Sequence, residues 1–110
     1  MQNLNFFPYY EPLLARREKT TTFRLHRPTF QVGDRCVLTV GWQETDAKQL
    51  HEVHVRAIYE KKLKDLSADD FRGESPDCQS VEASQLVLGA IYRQVVSAED
   101  SVWVVKFEHF

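Results

Sequence analysis

The chain has 110 residues, of which 43% are hydrophobic and 27% charged, and its formal net charge is −2. This length predicts a single domain over residues 1–110 with one small core, and the composition excludes a disordered chain and a generic binder of polyanions. No apolar run approaches the roughly 18 residues of a membrane span, and no signal peptide is recognisable, so we expect a cytoplasmic protein without a membrane partner.

The first half of the chain predicts three strands and one short helix. Asn3–Phe7 has the pattern of a first strand, and the prolines that follow suit the first turn of a helix over Pro8–Arg17. Thr20–Leu25 is β-branched and aromatic, which favours a second strand. A tight turn at Gly33-Asp34 precedes a third strand over Arg35–Trp42.

The second half predicts two further strands and up to three helices. Val53–Tyr59 alternates apolar and polar residues, which is the period of a half-buried strand. Short helices are predicted over Lys61–Leu66 and from Ser67 onward, and a longer one over Val81–Arg93. Ser101–Phe110 is apolar on both faces, which predicts a central strand. About five strands with two or three helices indicate an α+β fold, a small mixed β-barrel whose ends are plugged by helices.

The sequence predicts no metal and no cofactor. Cys36 lies in a predicted strand and Cys78 in a polar loop, and two lone cysteines in a chain without an export signal are expected to be free thiols. Neither has a nearby Cys or His at the spacing of a zinc site. The four glycines are too scattered to form a phosphate-binding loop.

Positive charge is concentrated in one segment. Residues 16–35 include six basic and two acidic side chains, a net charge of +4, so the rest of this −2 chain carries −6. A positive patch on an acidic body suits an anionic ligand such as a nucleotide. A solvated loop would have the same composition, so charge alone leaves both interpretations open.

The stretch from Lys19 to Arg24 holds an amine, three hydroxyls and a guanidinium. Side chains alternate along a strand, so Thr22 and Arg24 share one face while Phe23 points to the core. Lys19 can reach Thr22 only if it lies in the turn between the helix and the strand. A lysine in an apolar pocket favours its neutral form and can then act as a general base on a neighbouring hydroxyl. The alternative is an exposed lysine beside a threonine-rich strand.

A carboxylate would be needed to move protons in such a site. Glu82, in the first turn of the longest predicted helix, is one candidate, and Glu74 in the preceding loop is another. An acid in a first turn also simply complements the helix dipole. Spacing alone does not choose between the two glutamates.

Four aromatic side chains lie within the first ten residues: Phe6, Phe7, Tyr9 and Tyr10. Aromatic rings of this kind can stack on a nucleic-acid base. The alternative is that two of them enter the core and two cover the short helix.

Together these motifs resemble the ASCH domains, small relatives of the PUA fold of RNA-binding proteins, and among them the compact bacterial N4-acetylcytidine amidohydrolases. The matching residues in the first half are Phe6-Phe7, Lys19-Thr20-Thr21-Thr22-Phe23-Arg24 and Gly33-Asp34. In the second half they are Glu82, Ile91-Tyr92 and Val105-Lys106-Phe107. The family often has Gly before the lysine motif, where this chain has Arg16-Arg17-Glu18.

The resemblance implies a PUA-like barrel with a cleft and a catalytic set of Lys19, Thr22 and Glu82. The implied reaction removes the N4-acetyl group of an acylated nucleoside, giving cytidine and acetate, without a metal or cofactor. Lys19 would be the base, Thr22 the nucleophile or the group that orients water, and Glu82 the proton carrier. Three further residues would bind the substrate: Arg24, Phe7 and Tyr92.

Two other functions remain open at this point. The PUA-like resemblance and the +4 segment are also compatible with a non-catalytic RNA-binding module. Lysine and hydroxyl groups could equally serve an ASCH-type ribonuclease. The sequence leaves open whether a free nucleoside or modified RNA is the substrate, which glutamate takes part, and what the oligomeric state is.

Overall fold

A computed structural model of the protein describes residues 1–110. The strands are β1 (Gln2–Phe6), β2 (Thr21–Arg24), β3 (Arg35–Val40), β4 (Lys48–Lys62) and β5 (Ser101–His109). The α-helices are α1 (Glu11–Ala15), α2 (Ala68–Phe71) and α3 (Val81–Tyr92). Five strands and three α-helices confirm the predicted α+β fold.

All five strands form one sheet in the order β1-β3-β4-β5-β2. β1 runs parallel to β3, and the other neighbours are antiparallel. β5 pairs with a strand on each side, which confirms its predicted central position. The sheet curls into a half-barrel whose two edges are β1 and β2. Arg24 of β2 joins these edges by donating a hydrogen bond to the Asn5 carbonyl of β1 at 2.8 Å.

Two clusters of buried apolar side chains stabilise this half-barrel. The larger one includes Leu4, Leu38 and Phe107, and the smaller one includes Phe23 and Val104. Because side chains alternate along β5, Phe107 and Val104 point to opposite faces of the sheet. The last strand therefore contributes to both clusters, which explains why its sequence is apolar at nearly every position.

The prediction for the middle of the chain was wrong in one respect. β4 is 15 residues long, whereas the sequence predicted a strand only over 53–59 followed by a helix over 61–66. Lys61 and Lys62 instead continue the antiparallel pairing with β5, opposite Val102 and Ser101. Only a single 3-10 turn over Leu63–Asp65 follows. Long-range strand pairing overrides the local preference of these polar residues for a helix.

Both cysteines, Cys36 and Cys78, are buried and free. Burial is the main cause that raises the pKa of each thiol. No helix of the protein is long and apolar enough to cross a membrane.

Candidate active site

A tight turn after α1 determines the position of Lys19. The Arg17 N–H donates to the Leu14 carbonyl at 3.1 Å and the Glu18 N–H to the Leu13 carbonyl at 2.9 Å, the two bonds of a Schellman motif. Arg17 has φ +63°, in the left-handed region that favours glycine. Lys19 therefore lies in the connection before β2, which confirms the predicted placement of this lysine.

The side chain of Lys19 is withdrawn from water, with 2% of it exposed. Its ammonium group forms an ion pair with the Glu74 carboxylate, and it lies 3.2 Å from the Ser75 hydroxyl. Two aromatic rings cover it, since Nζ is 5.6 Å from the ring centroid of Phe6 and 5.1 Å from that of Tyr10. Cation–π attraction at this range helps to hold the ammonium group against an otherwise apolar wall.

Glu74 is equally buried and accepts hydrogen bonds at both carboxylate oxygens. Besides Lys19, the Ser75 N–H and hydroxyl donate to its Oε1 at 2.7 and 2.9 Å, and the Phe23 N–H donates to its Oε2 at 3.1 Å. A buried charge is tolerated only when it is paired and hydrogen-bonded in this way. The carboxylate is therefore fixed in position beside the lysine.

The loop that carries Glu74 approaches the start of β2 closely. The Gly73 carbonyl accepts from the Thr20 and Thr21 N–H groups at 2.8 and 3.0 Å. Gly73 has φ +85°, and a β-carbon there would overlap the Thr20 hydroxyl. The Thr21 hydroxyl also donates to the Arg72 carbonyl at 2.6 Å. Only glycine allows this contact, which brings Glu74 to Lys19 across more than fifty residues of sequence.

A cavity of about 390 Å³ lies beside the ion pair, between the sheet edges and α3. Lys19, Thr22 and Glu74 all line it. Thr22 is 6% exposed, and its hydroxyl makes no hydrogen bond within the protein. The hydroxyl is therefore free to meet a bound molecule.

The three residues predicted to bind substrate all line this cavity. Arg24 crosses between the sheet edges, and burial lowers the pKa of its guanidinium. Phe7 packs against Trp42 with ring centroids 5.1 Å apart. The Tyr92 hydroxyl accepts from the Leu25 N–H at 3.3 Å. Their placement fits the predicted role, which stays a prediction.

The structure does not bring Glu82 to Lys19 and Thr22. Glu82 is exposed in the first turn of α3 and does not line the cavity. Ser80 caps this helix by accepting from the Ala83 N–H at 3.0 Å, and Glu82 complements the helix dipole there. Glu74 is the carboxylate that reaches Lys19.

Sequence reasoning missed several groups around the ion pair. Ser75 is 2% exposed and joins Lys19 to Glu74. The Tyr10 hydroxyl donates to Asp77 at 2.9 Å, and burial together with this contact raises the pKa of Tyr10. The short run Gly-Glu-Ser-Pro-Asp over 73–77 has the composition of an ordinary loop, so only the three-dimensional approach of that loop reveals its role.

The four early aromatic residues divide between core and surface. Phe6 and Tyr10 are buried in the larger apolar cluster, whereas Phe7 is half-buried and Tyr9 is 71% exposed. Two of the four thus enter the core, as one interpretation of the sequence predicted, and Phe7 remains available to the cavity.

Comparison with solved structures identifies the architecture. An ASCH domain from Lactobacillus crispatus JV V101 superposes with a TM-score of 0.71 at 15% identity, covering 98% of this chain and 79% of that one. The chain has the fold of an ASCH domain. Protein EF3133 from Enterococcus faecalis V583, described with the family DUF984, gives a TM-score of 0.71 at 12% identity over 99% of this chain and 80% of that one.

The hypothetical protein PH0355 shares this ASCH fold more distantly, with a TM-score of 0.62 at 17% identity over 99% of this chain and 98% of that one. No family model and no curated protein matches the sequence. Identities this low establish the shared ASCH fold and nothing about activity.

Proposed function

We propose that this protein is an amidohydrolase that removes the N4-acetyl group from N4-acetylcytidine or a related acylated nucleoside. One observation carries the proposal: the buried Lys19–Glu74 ion pair and the unpartnered Thr22 hydroxyl line the same cavity. An amine, a carboxylate and a hydroxyl can supply the base, the proton carrier and the nucleophile of a metal-free amide hydrolysis. The carboxylate of the proposed set is Glu74.

The size and lining of the cavity support a small planar substrate. Its volume of about 390 Å³ lies within the roughly 300–1,000 Å³ typical of small-molecule sites. Phe7, Tyr92 and Trp42 contribute aromatic surface, on which a pyrimidine ring can stack. Arg24 supplies donors that can hold a carbonyl or polarise the acetyl group.

In the proposed reaction Thr22 Oγ1, or a water that it holds, attacks the acetyl carbonyl carbon. Lys19 can accept the released proton only as a neutral amine, and transfer of its own proton to Glu74 produces that amine. The tetrahedral intermediate then collapses, the C–N bond breaks, and the pair returns a proton to the leaving N4 nitrogen. If Thr22 is the nucleophile, water hydrolyses the acetyl-threonine ester and releases acetate.

The test is acetate release from N4-acetylcytidine by the wild type and by Thr22→Val, which preserves shape and removes only the hydroxyl. We expect wild-type turnover and a loss of about 100-fold or more in the variant. Thr45→Val, which changes an exposed threonine outside the cavity, is the matched control and should stay within about twofold of the wild type. Absence of wild-type turnover at micromolar enzyme would refute the proposal.

The alternatives of an RNA-binding module and a ribonuclease have less support. Three of the six basic side chains in residues 16–35 form ion pairs, Arg16 with Glu18, Lys19 with Glu74 and Arg35 with Glu52. This pairing reduces the positive charge available to phosphates. Salt-dependent RNA binding without acetate release would favour the RNA-binding module instead.

A further inference from the structure

A second, smaller cavity of about 190 Å³ adjoins the proposed active site. Four residues line both cavities: Asn5, Arg24, Glu44 and Tyr92. The two spaces are therefore neighbours that share one wall. Arg24 lies on that wall and faces both cavities.

Arg24 on this shared wall has unused donor capacity. A guanidinium has five N–H donors, yet one hydrogen bond, to the Asn5 carbonyl, is the only one that this side chain makes. No carboxylate lies within ion-pair distance of it, although burial removes water from around the guanidinium and lowers its pKa. The Phe6 ring, with its centroid 4.9 Å from Cζ, holds the guanidinium in place. An anionic ligand group would supply the missing partner.

The rest of the second cavity adds positive charge. Arg27 and His26 line it, and the guanidinium of Arg27 stacks 5.2 Å from the ring centroid of Trp103, which holds this side chain in place. Glu44 is the one carboxylate in the lining, and it is exposed. Two guanidiniums against one carboxylate make a small cationic space beside an aromatic one.

We propose that the second cavity binds a phosphoryl group attached to the nucleoside in the first cavity. The preferred substrate is then an acylated nucleotide, and a free nucleoside occupies only the first of the two cavities. Arginine is the side chain that best matches phosphate oxygens, because its planar fork donates two parallel hydrogen bonds. This inference rests on the proposed function for the acyl group, but the phosphoryl site itself can be tested by binding alone.

The first experiment measures binding by calorimetry, using cytidine and cytidine 5′- and 3′-monophosphates as probes. We expect one monophosphate to bind about tenfold or more tightly than cytidine at low salt, because charge-assisted hydrogen bonds are strong. Arg27→Gln should remove most of this advantage, and Glu44→Gln should increase it. Arg93→Gln is the matched control, since Arg93 is exposed at the end of α3 and lines neither cavity. Equal affinity for cytidine and both monophosphates would overturn the inference.

The second experiment compares kcat/KM for N4-acetylcytidine, its two monophosphates and a short RNA that contains it. A preference of about tenfold for a monophosphate or the RNA supports the phosphoryl site. Which of these substrates is preferred shows whether the phosphoryl group comes from a free nucleotide or from RNA. Equal turnover of nucleoside and nucleotides overturns the phosphoryl site and leaves the amidohydrolase proposal standing. Tight monophosphate binding without turnover of any substrate refutes the amidohydrolase and retains the phosphoryl site.

Discussion

Lys19 and Glu74 form an ion pair that is almost fully withdrawn from water, with 2% of each side chain exposed. Removing two charges from water is costly, and mutual attraction alone often fails to offset that cost. Here the Ser75 hydroxyl and the N–H groups of Ser75 and Phe23 also donate to Glu74. The arrangement is stable as a unit, and it becomes unstable when one charge is removed.

We therefore expect Lys19→Met to lower the free energy of unfolding by about 3 kcal/mol, because it leaves Glu74 charged and uncompensated. Adding Glu74→Gln should recover at least about 1 kcal/mol, because glutamine removes the isolated charge and its one amide oxygen still accepts from Ser75. Urea denaturation measures both values. Lys48→Met, which breaks an exposed ion pair with Glu11, is the control and should cost less than about 1 kcal/mol. A similar cost for Lys19→Met and Lys48→Met would contradict this account.

Part of this site could be predicted from the sequence. Strand alternation placed Thr22 and Arg24 on one face, and the need for a turn placed Lys19 before the strand. The choice between Glu74 and Glu82 could not be made from the sequence. Glu82 stood out only because it lies in the first turn of a helix, where an acidic residue is common for structural reasons. Glu74 reaches Lys19 only through the close approach of two chain segments, which no local pattern reports.

At the scale of the elements, the loop that contains Gly73 can approach β2 closely only because glycine has no side chain. The Gly73 carbonyl binds two N–H groups at the start of the strand, and its Cα lies against the Thr20 hydroxyl. Gly33 offers a direct comparison, since it has φ +93° but a β-carbon added there would meet no atom within 4 Å.

We expect Gly33→Ala to cost only the left-handed backbone strain, about 1 kcal/mol. Gly73→Ala should cost at least about 2 kcal/mol more, because the β-carbon also displaces Thr20. The same change should reduce acetate release, since Glu74 moves with the loop. Thermal and urea denaturation of the two variants test this expectation. Equal losses of unfolding free energy in Gly33→Ala and Gly73→Ala would show that the close contact between Gly73 and Thr20 does not contribute to stability.

β4 and β5 are joined by two histidines as well as by their backbones. The Lys19 carbonyl can only accept, so His109 Nε2 donates to it at 2.6 Å. Neutral His109 Nδ1 is then an acceptor, and His51 Nε2 donates to it at 2.7 Å. Burial is the main cause that lowers the pKa of both histidines, and Arg17 lowers each further.

These shifts predict a pH dependence of stability. Because the folded-state pKa values lie below the unfolded value of about 6.5, the unfolded chain binds more protons in mild acid. The contribution of the pair is fully present above about pH 6.5 and is lost as the pH falls toward the lowered pKa values. Urea denaturation between about pH 7 and pH 5 should show a smaller loss in His51→Gln/His109→Gln than in the wild type. The same pH dependence in His26→Gln and in the double variant would contradict this assignment.

At the scale of the whole molecule, the proposed site lies where the half-barrel is open. β1 and β2 are the two edges of the sheet, and the aromatic residues, Arg24 and Lys19 lie along the gap between them. The number of strands and their apolar patterns could be predicted, as could the central place of β5. The parallel pairing of β1 with β3 could not, because it joins residues more than thirty positions apart. The position of the gap follows from that pairing.

The most direct test of the proposed activity compares kcat/KM for acetate release from N4-acetylcytidine by the wild type, Glu74→Gln and Glu82→Gln, with circular dichroism confirming that each is folded. Both changes replace a carboxylate with an amide of similar shape, but only Glu74 contacts Lys19. We predict a loss of about 100-fold or more for Glu74→Gln and a change within about twofold for Glu82→Gln. Full activity of Glu74→Gln, or a large loss confined to Glu82→Gln, would contradict the proposed site.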